Sequence, residues 1–129
     1  MLYTLYDFVN EGGVNEFAEW TRKLEVGQRA KLNEKLDKLA MHGEVLYPET
    51  LTGTGVPGIQ KLRIRGNVQL RPLLCHGPVN VKAEFTLLMG AKEVGGELMP
   101  RDAPKIAAGK RAQVVSAPKL RRKQHERVR

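Results

Sequence analysis

The run KLRIRGNVQLRPLLC, residues 61–75, decides the fold. Leu62 and Ile64 alternate with Lys61, Arg63 and Arg65, and Leu70, Pro72 and Leu74 alternate with Gln69, Arg71, Leu73 and Cys75. This period of two sends successive side chains to opposite faces of a strand. A two-residue turn at Gly66 and Asn67 would pair Ile64 with Gln69 and Arg63 with Leu70, mixing apolar and charged residues on each face. A three-residue loop, residues 66–68, pairs Ile64 with Leu70, Leu62 with Pro72, Arg65 with Gln69 and Arg63 with Arg71, and keeps the apolar residues on one side. The second register is the expected one, and it sets Arg63 opposite Arg71.

Working outward, residues 59–65 and 69–75 are followed by a third strand-like run, residues 81–89, in which Val81, Ala83, Phe85 and Leu87 oppose Lys82, Glu84 and Thr86. The short connections predict an antiparallel meander. Before it, Leu2, Leu5, Phe8 and Val9 with Tyr3 and Tyr6 predict a first strand closed by Gly12 and Gly13. Two helices follow, one on Phe17, Trp20 and Leu24, the next on Ala30, Leu32, Leu36, Leu39 and Ala40 until Gly43. Their outer faces, Lys31 and Lys35 included, read as solvated. Residues 44–58 read as a long loop. After Gly95, Gly96 and Pro100, Asp102 is placed to cap a short helix reaching about Val115. The expected fold class is α+β, a small antiparallel sheet with two N-terminal helices packed on one face and the other face partly open.

The 129 residues, 41% hydrophobic and 28% charged, bound the chain to one packed domain, expected over residues 1–115. The net charge of +8 is segregated: residues 1–60 hold six Lys/Arg against nine Asp/Glu, residues 61–129 sixteen against five. Segregated positive charge makes a field suited to a polyanion. Residues 116–129 read as a basic flexible tail, with Arg121, Arg122 and Lys123 adding attraction to nucleic acid. No apolar stretch approaches the ~20 residues of a membrane span, and the first ten residues lack a basic leader segment, so a cytoplasmic protein without a membrane partner is expected. Cys75 alone allows no internal disulfide, and no Cys/His cluster at zinc spacing exists, so no metal or other cofactor is expected.

Like charges facing each other across a sheet cost up to ~1 kcal/mol, so the Arg63/Arg71 pair calls for compensation. Either Glu84 on the third strand bridges them, or an outside anion does. Two guanidinium forks suit adjacent phosphates, with Lys61, Arg65, Lys82 and Lys92 extending the strip. The strip carries no exposed aromatics, which argues against an RNA-recognition-motif sheet.

Residues 51–112, from LTGTGVPGIQKLRIRGNVQLRPLL through FTLLMGAKEVGGELMPRDAPKIAAGKR, resemble the RelE/HigB-like toxins of bacterial and phage toxin–antitoxin modules. Leu62-Arg63, Arg71, Lys92 and the helix after Pro104 fit that pattern. The resemblance implies a RelE-like sheet backed by two helices, a basic cleft, cleavage of messenger RNA on the ribosome, and neutralisation by a cognate antitoxin. It gives catalytic roles to Arg63, Arg71 and Lys92. Against the pattern, Lys61 stands where the family has Glu, Leu70 where it has Tyr, and residues 92–111 hold no Tyr or His. The chemistry implied is attack of a ribose 2′-hydroxyl on the adjacent phosphate, with guanidinium charge on the phosphorane and proton transfer left to Lys92, Lys61, Glu93 or His76. Two alternatives remain: a non-catalytic, ParE-like inhibitor of a protein target, and a basic nucleic-acid-binding accessory protein of a phage or mobile element.

Overall fold

Thr4–Phe8 forms β1, the strand next to the centre of everything that follows. The structure is a computed structural model that describes residues 3–129; Leu2, expected in this strand, lies outside them. Asn15 ends the loop after β1 by accepting from the Ala18 amide, which starts α1, Glu16–Arg22. α2, Val26–His42, opens on a capping box between Glu25 and Gln28 and stops at Gly43, whose φ of 53° turns the chain out of the helix. A Cβ at Gly43 would collide with the Tyr3 ring, so the stop also lets β1 lie against the helix end.

A short 3-10 turn, Gly43–Leu46, leads to β2, Leu51–Gly53, and β3, Gln60–Leu62. The chain continues through β4, Gln69–Leu70, β5, Leu73–His76, and β6, Glu84–Met89. β7, Lys92–Val94, β8, Glu97–Met99, α3, Ala103–Ser116, α4, Pro118–Arg121, and β9, Arg122–Gln124, complete it. Six strands make one sheet in the order β2-β3-β5-β6-β1-β9, and β4-β7-β8 make a small second one. Among the described residues no helix is long and apolar enough to cross a membrane.

The expected register is present. Ile64 and Leu70 exchange backbone hydrogen bonds of 3.1 and 3.0 Å, the Leu62 amide donates to Pro72 at 2.9 Å, and Lys61 stands opposite Leu73. The second run nevertheless splits at Arg71-Pro72. Proline has no N–H to give the ladder, and the Arg71 amide donates instead to Ala91, which carries β4 away to pair with β7.

The sheet is mixed, not antiparallel throughout. β1 runs parallel to β6, with Leu5 beside Phe85. Parallel neighbours need a crossover connection, which here starts with the helical hairpin after β1; β2, which was expected to be loop, adds a fourth antiparallel member to the run β2, β3, β5 and β6.

Both faces of the sheet are covered. On one, Phe17, Leu24, Leu32, Leu36 and Leu39 of the helical hairpin pack on Leu5, Leu62, Leu74, Phe85 and Leu87. On the other, which was expected to be partly open, Ala103, Ala107 and Val114 of α3 pack on Phe8, Leu73, Cys75 and Leu88. Small residues at 103 and 107 let α3 approach closely. Asp102 precedes α3 as expected, but through its backbone carbonyl, which accepts from Ile106, and not through a side-chain cap.

Within the stretch 116–129, expected as a flexible arm, Pro118–Arg121 is helical and Arg122–Gln124 joins the sheet. β9 pairs with β1, placing Lys123 opposite Asp7 and Arg122 opposite Phe8. Arg122 is ion-paired with Glu84 and lies 3.7 Å from the Tyr6 ring centre. His125 Nδ1 is 2.8 Å from Asp7 Oδ1, and Arg127 reaches both carboxylate oxygens of Asp37 at 2.6 and 2.5 Å. Acidic residues of the N-terminal half thus meet the basic C-terminal segment, an intramolecular use of the charge asymmetry.

Candidate nucleic-acid interface

Arg63 and Arg71 stand across from each other in the ladder, but their side chains part. Arg71 is 5% exposed. Its Nε lies 3.3 Å from Glu93 Oε1, Nη1 donates to the Leu70 and Ile64 carbonyls at 2.9 and 3.4 Å, and Nη2 donates to Gln69 Oε1 at 3.2 Å. The split at Pro72 causes this arrangement: β4 lies beside β7, and Glu93 falls opposite Gln69. A buried guanidinium needs such partners, because an unpaired charge in the interior is prohibitively costly. The expectation that Arg71 faces solvent and awaits an outside anion is therefore corrected: Glu93 supplies the counter-charge. Glu84 does not bridge the two arginines either, being held by Arg122.

Lys61 joins this cluster, its Nζ 4.0 Å from the same Glu93 oxygen and its side chain 18% exposed. Lys61, Glu93 and Arg71 form a group with one surplus positive charge. Within it Lys61 is the better exposed cation.

Arg63 turns to the other cluster. Its Nη1 approaches the Glu49 carbonyl at 3.5 Å, and with Arg65 it lines a groove of about 450 Å³ shared with Lys31 and Lys35 of α2. Glu34 and Glu49 line it too, Glu34 being engaged by Lys38 at 3.4 Å. Four cations against two carboxylates leave the groove positive. Lys31 and Lys35 lie on a helix face that helical spacing assigns to solvent, and nothing in the sequence indicates that residues 63–65 run beside it.

The remaining candidates do not join into one strip. Lys82 is exposed in the turn before β6. Lys92 is exposed on β7 and, by strand alternation, points away from its neighbour Glu93 and so from the Arg71 cluster. Arg121 donates to the Asn10 carbonyl at 2.7 Å, Arg122 is spent on Glu84, and only Lys123 of the three tail cations is exposed.

Cys75 and His76 point to opposite faces, as neighbours in a strand do. Cys75 is fully buried under α3, and burial pushes its thiol up to about 11 against the pull of the Arg111 charge. It is not a nucleophile at neutral pH. His76 packs 4.7 Å from the Phe85 ring, with Nδ1 3.6 Å from Glu44. It borders a cleft of about 540 Å³ with Tyr47 and Gln60, inside the stretch expected to be featureless loop. Another arrangement that sequence analysis missed is Asp7, 1% exposed, held between His125 and Asn15 Nδ2 at 2.8 Å each. Its parts lie over a hundred residues apart, so no local spacing could announce it.

Comparison of the chain with family models, with curated proteins and with solved structures finds no match.

Proposed function

We propose that this chain is the toxin of a toxin–antitoxin pair, RelE/HigB-like in architecture, that acts on messenger RNA at the ribosome and is neutralised by a cognate antitoxin. The observation that carries this reading is the positive groove of Lys31, Lys35, Arg63 and Arg65 just past the end of β3. Clustered Lys and Arg on one side of a groove attract a phosphate backbone, and Arg forks bind phosphate oxygens two at a time. The family likeness of residues 51–112 supports the same reading.

Cleavage by the 2′-hydroxyl route needs a base, an acid and positive charge near the phosphorane. The arrangement offers Lys61 and Glu93, in contact beside the fixed Arg71 guanidinium, as the proton-transfer pair. Arg63 and Arg65 supply phosphate contacts from their own groove. Lys92 has no part in this scheme.

A second reading is favoured by one specific observation: every terminal nitrogen of Arg71 has an internal partner. A ParE-like inhibitor that blocks a protein target without cutting RNA needs no free Arg71. Expression of the chain alone distinguishes the two. The first reading expects growth arrest with cleaved messages, relieved by Arg63→Ala together with Lys35→Ala. Arrest with intact messages supports the second, and healthy cells at full expression contradict both.

A further inference from the structure

We propose that the cleft between the Gly53–Gly58 loop and His76 is a subsite for one unstacked nucleobase. The inference rests on the RNA reading above and deepens it, because one segment lines both places. Tyr47 and Leu51 border the cleft, and Glu49 and Thr50 between them border the phosphate groove. A strand with its phosphates on Arg63 and Lys35 can turn one base over this segment.

The cleft has the parts that base recognition uses. Tyr47 is 55% exposed in a chain whose large aromatics are otherwise mostly packed. An exposed ring at the mouth of a pocket is a stacking surface, and stacking accepts any base because every base has a π-face. His76 presents a second ring, fixed from behind by Phe85 and from the side by Glu44. At about 540 Å³ the space falls within the range of small-ligand sites.

The polar end carries the specific signal. Gln60 borders the cleft, and its Oε1 is buried without a hydrogen-bond partner. A buried acceptor left unmatched costs free energy that a donor from a ligand recovers. Glu44, which also lines the cleft, brings a carboxylate as a second acceptor. Two acceptors select a base bearing an exocyclic amino group, so adenine, cytosine or guanine is favoured over uracil. The rim leaves room for the ribose: a Cβ at Gly53 or Gly55 would meet nothing within 4 Å.

The test uses the full chain and four probes: a seven-nucleotide single-stranded RNA, the same oligomer with all bases removed, free adenosine and free uridine. The variants are Tyr47→Ala, at an exposed position, and Gln60→Leu, close in volume. Affinity is read by fluorescence anisotropy and by the NMR signals of His76 and Tyr47. The expected results are that each variant weakens RNA binding about five- to fiftyfold, that the abasic oligomer binds weakly and indifferently to Tyr47→Ala, and that adenosine shifts the His76 and Tyr47 signals more than uridine does. RNA binding that survives in both variants and in the abasic oligomer, without an adenosine shift, overturns the base subsite and leaves the RNA reading standing. An adenosine shift in a protein that binds no RNA supports the cleft as a site for free nucleosides and overturns the RNA reading. Absence of both overturns the two together.

Discussion

Arg71 stands directly across the ladder from Arg63, yet its guanidinium lies against Glu93, 3.3 Å away, and under the carbonyls of Ile64 and Leu70. This arrangement removes the repulsion that two facing arginines would create, and it leaves Arg63 free to face α2. One cation is structural and the other is available.

Glu93→Gln leaves Arg71 buried with no opposing charge. Removal of one partner of a buried pair costs 3–5 kcal/mol, and because Glu93 is itself 26% exposed the lower end applies, about 3 kcal/mol. Urea denaturation measures it. The double variant Glu93→Leu, Arg71→Met should recover most of the loss, since an apolar pair can replace a buried ion pair; a double variant no better than the single one contradicts the assignment.

Removal of residues 117–129 strips β9 from β1 and leaves Asp7 without His125, Glu84 without Arg122 and Asp37 without Arg127. It also bares the β1 edge, a template for pairing with another chain. The truncated protein should melt several degrees lower and elute as larger species in size-exclusion chromatography. An unchanged melting temperature would mean that the segment is an arm after all.

Gly90 has the Trp20 ring where a Cβ would be. Gly90→Ala should push the indole outward, red-shift its fluorescence, which comes from the one tryptophan in the chain, and destabilise the fold by about 1–3 kcal/mol, the usual cost of overpacking. Native-like emission with unchanged stability contradicts that packing.

Cys75 contributes to pH dependence above neutrality. Its folded value of about 11 lies above the ordinary 9.0, so the unfolded chain loses the proton first as pH rises. The contribution is complete below pH 9 and is lost between pH 9 and 11, a difference on the order of 2 to 3 kcal/mol. Other groups titrate in that window, so the quantity to measure is the difference between the native protein and Cys75→Ala. The variant should lose less stability from pH 9 to 11; parallel curves contradict the buried thiol.

How much of this was legible in the sequence depended on whether a segment is positioned by its own pattern or by a distant partner. The β3 register was readable because Leu62, Ile64, Leu70 and Leu74 alternate and a wrong register would have buried charge. The helical hairpin and α3 were readable from apolar spacing and from their Gly and Pro boundaries. β2 was not: Leu51–Gly53 is three residues long in a Gly- and Pro-rich stretch, and Leu62 across from it makes it a strand. The β7–β8 hairpin was missed because Gly95 and Gly96 read as a break, whereas their φ values of 59° and 82° belong to a two-residue hairpin turn. β9 is a polar segment that only the β1 edge and three distant acids could order. At the candidate site, Arg63 and Arg65 were identified, but Lys31 and Lys35 were not, because their meeting is a property of packing.

The central claim, that the Lys31–Lys35–Arg63–Arg65 groove binds an RNA backbone, is tested most directly by the salt dependence of affinity for a short single-stranded RNA. Each phosphate neutralised contributes about −0.7 to the slope of log affinity against log salt. With three or four contacts the native slope should be about −2 to −3, and Lys35→Ala with Arg63→Ala should make it shallower by about 1.4 while the fold, checked by circular dichroism, stays intact. A slope and affinity that the double variant leaves unchanged contradict the claim.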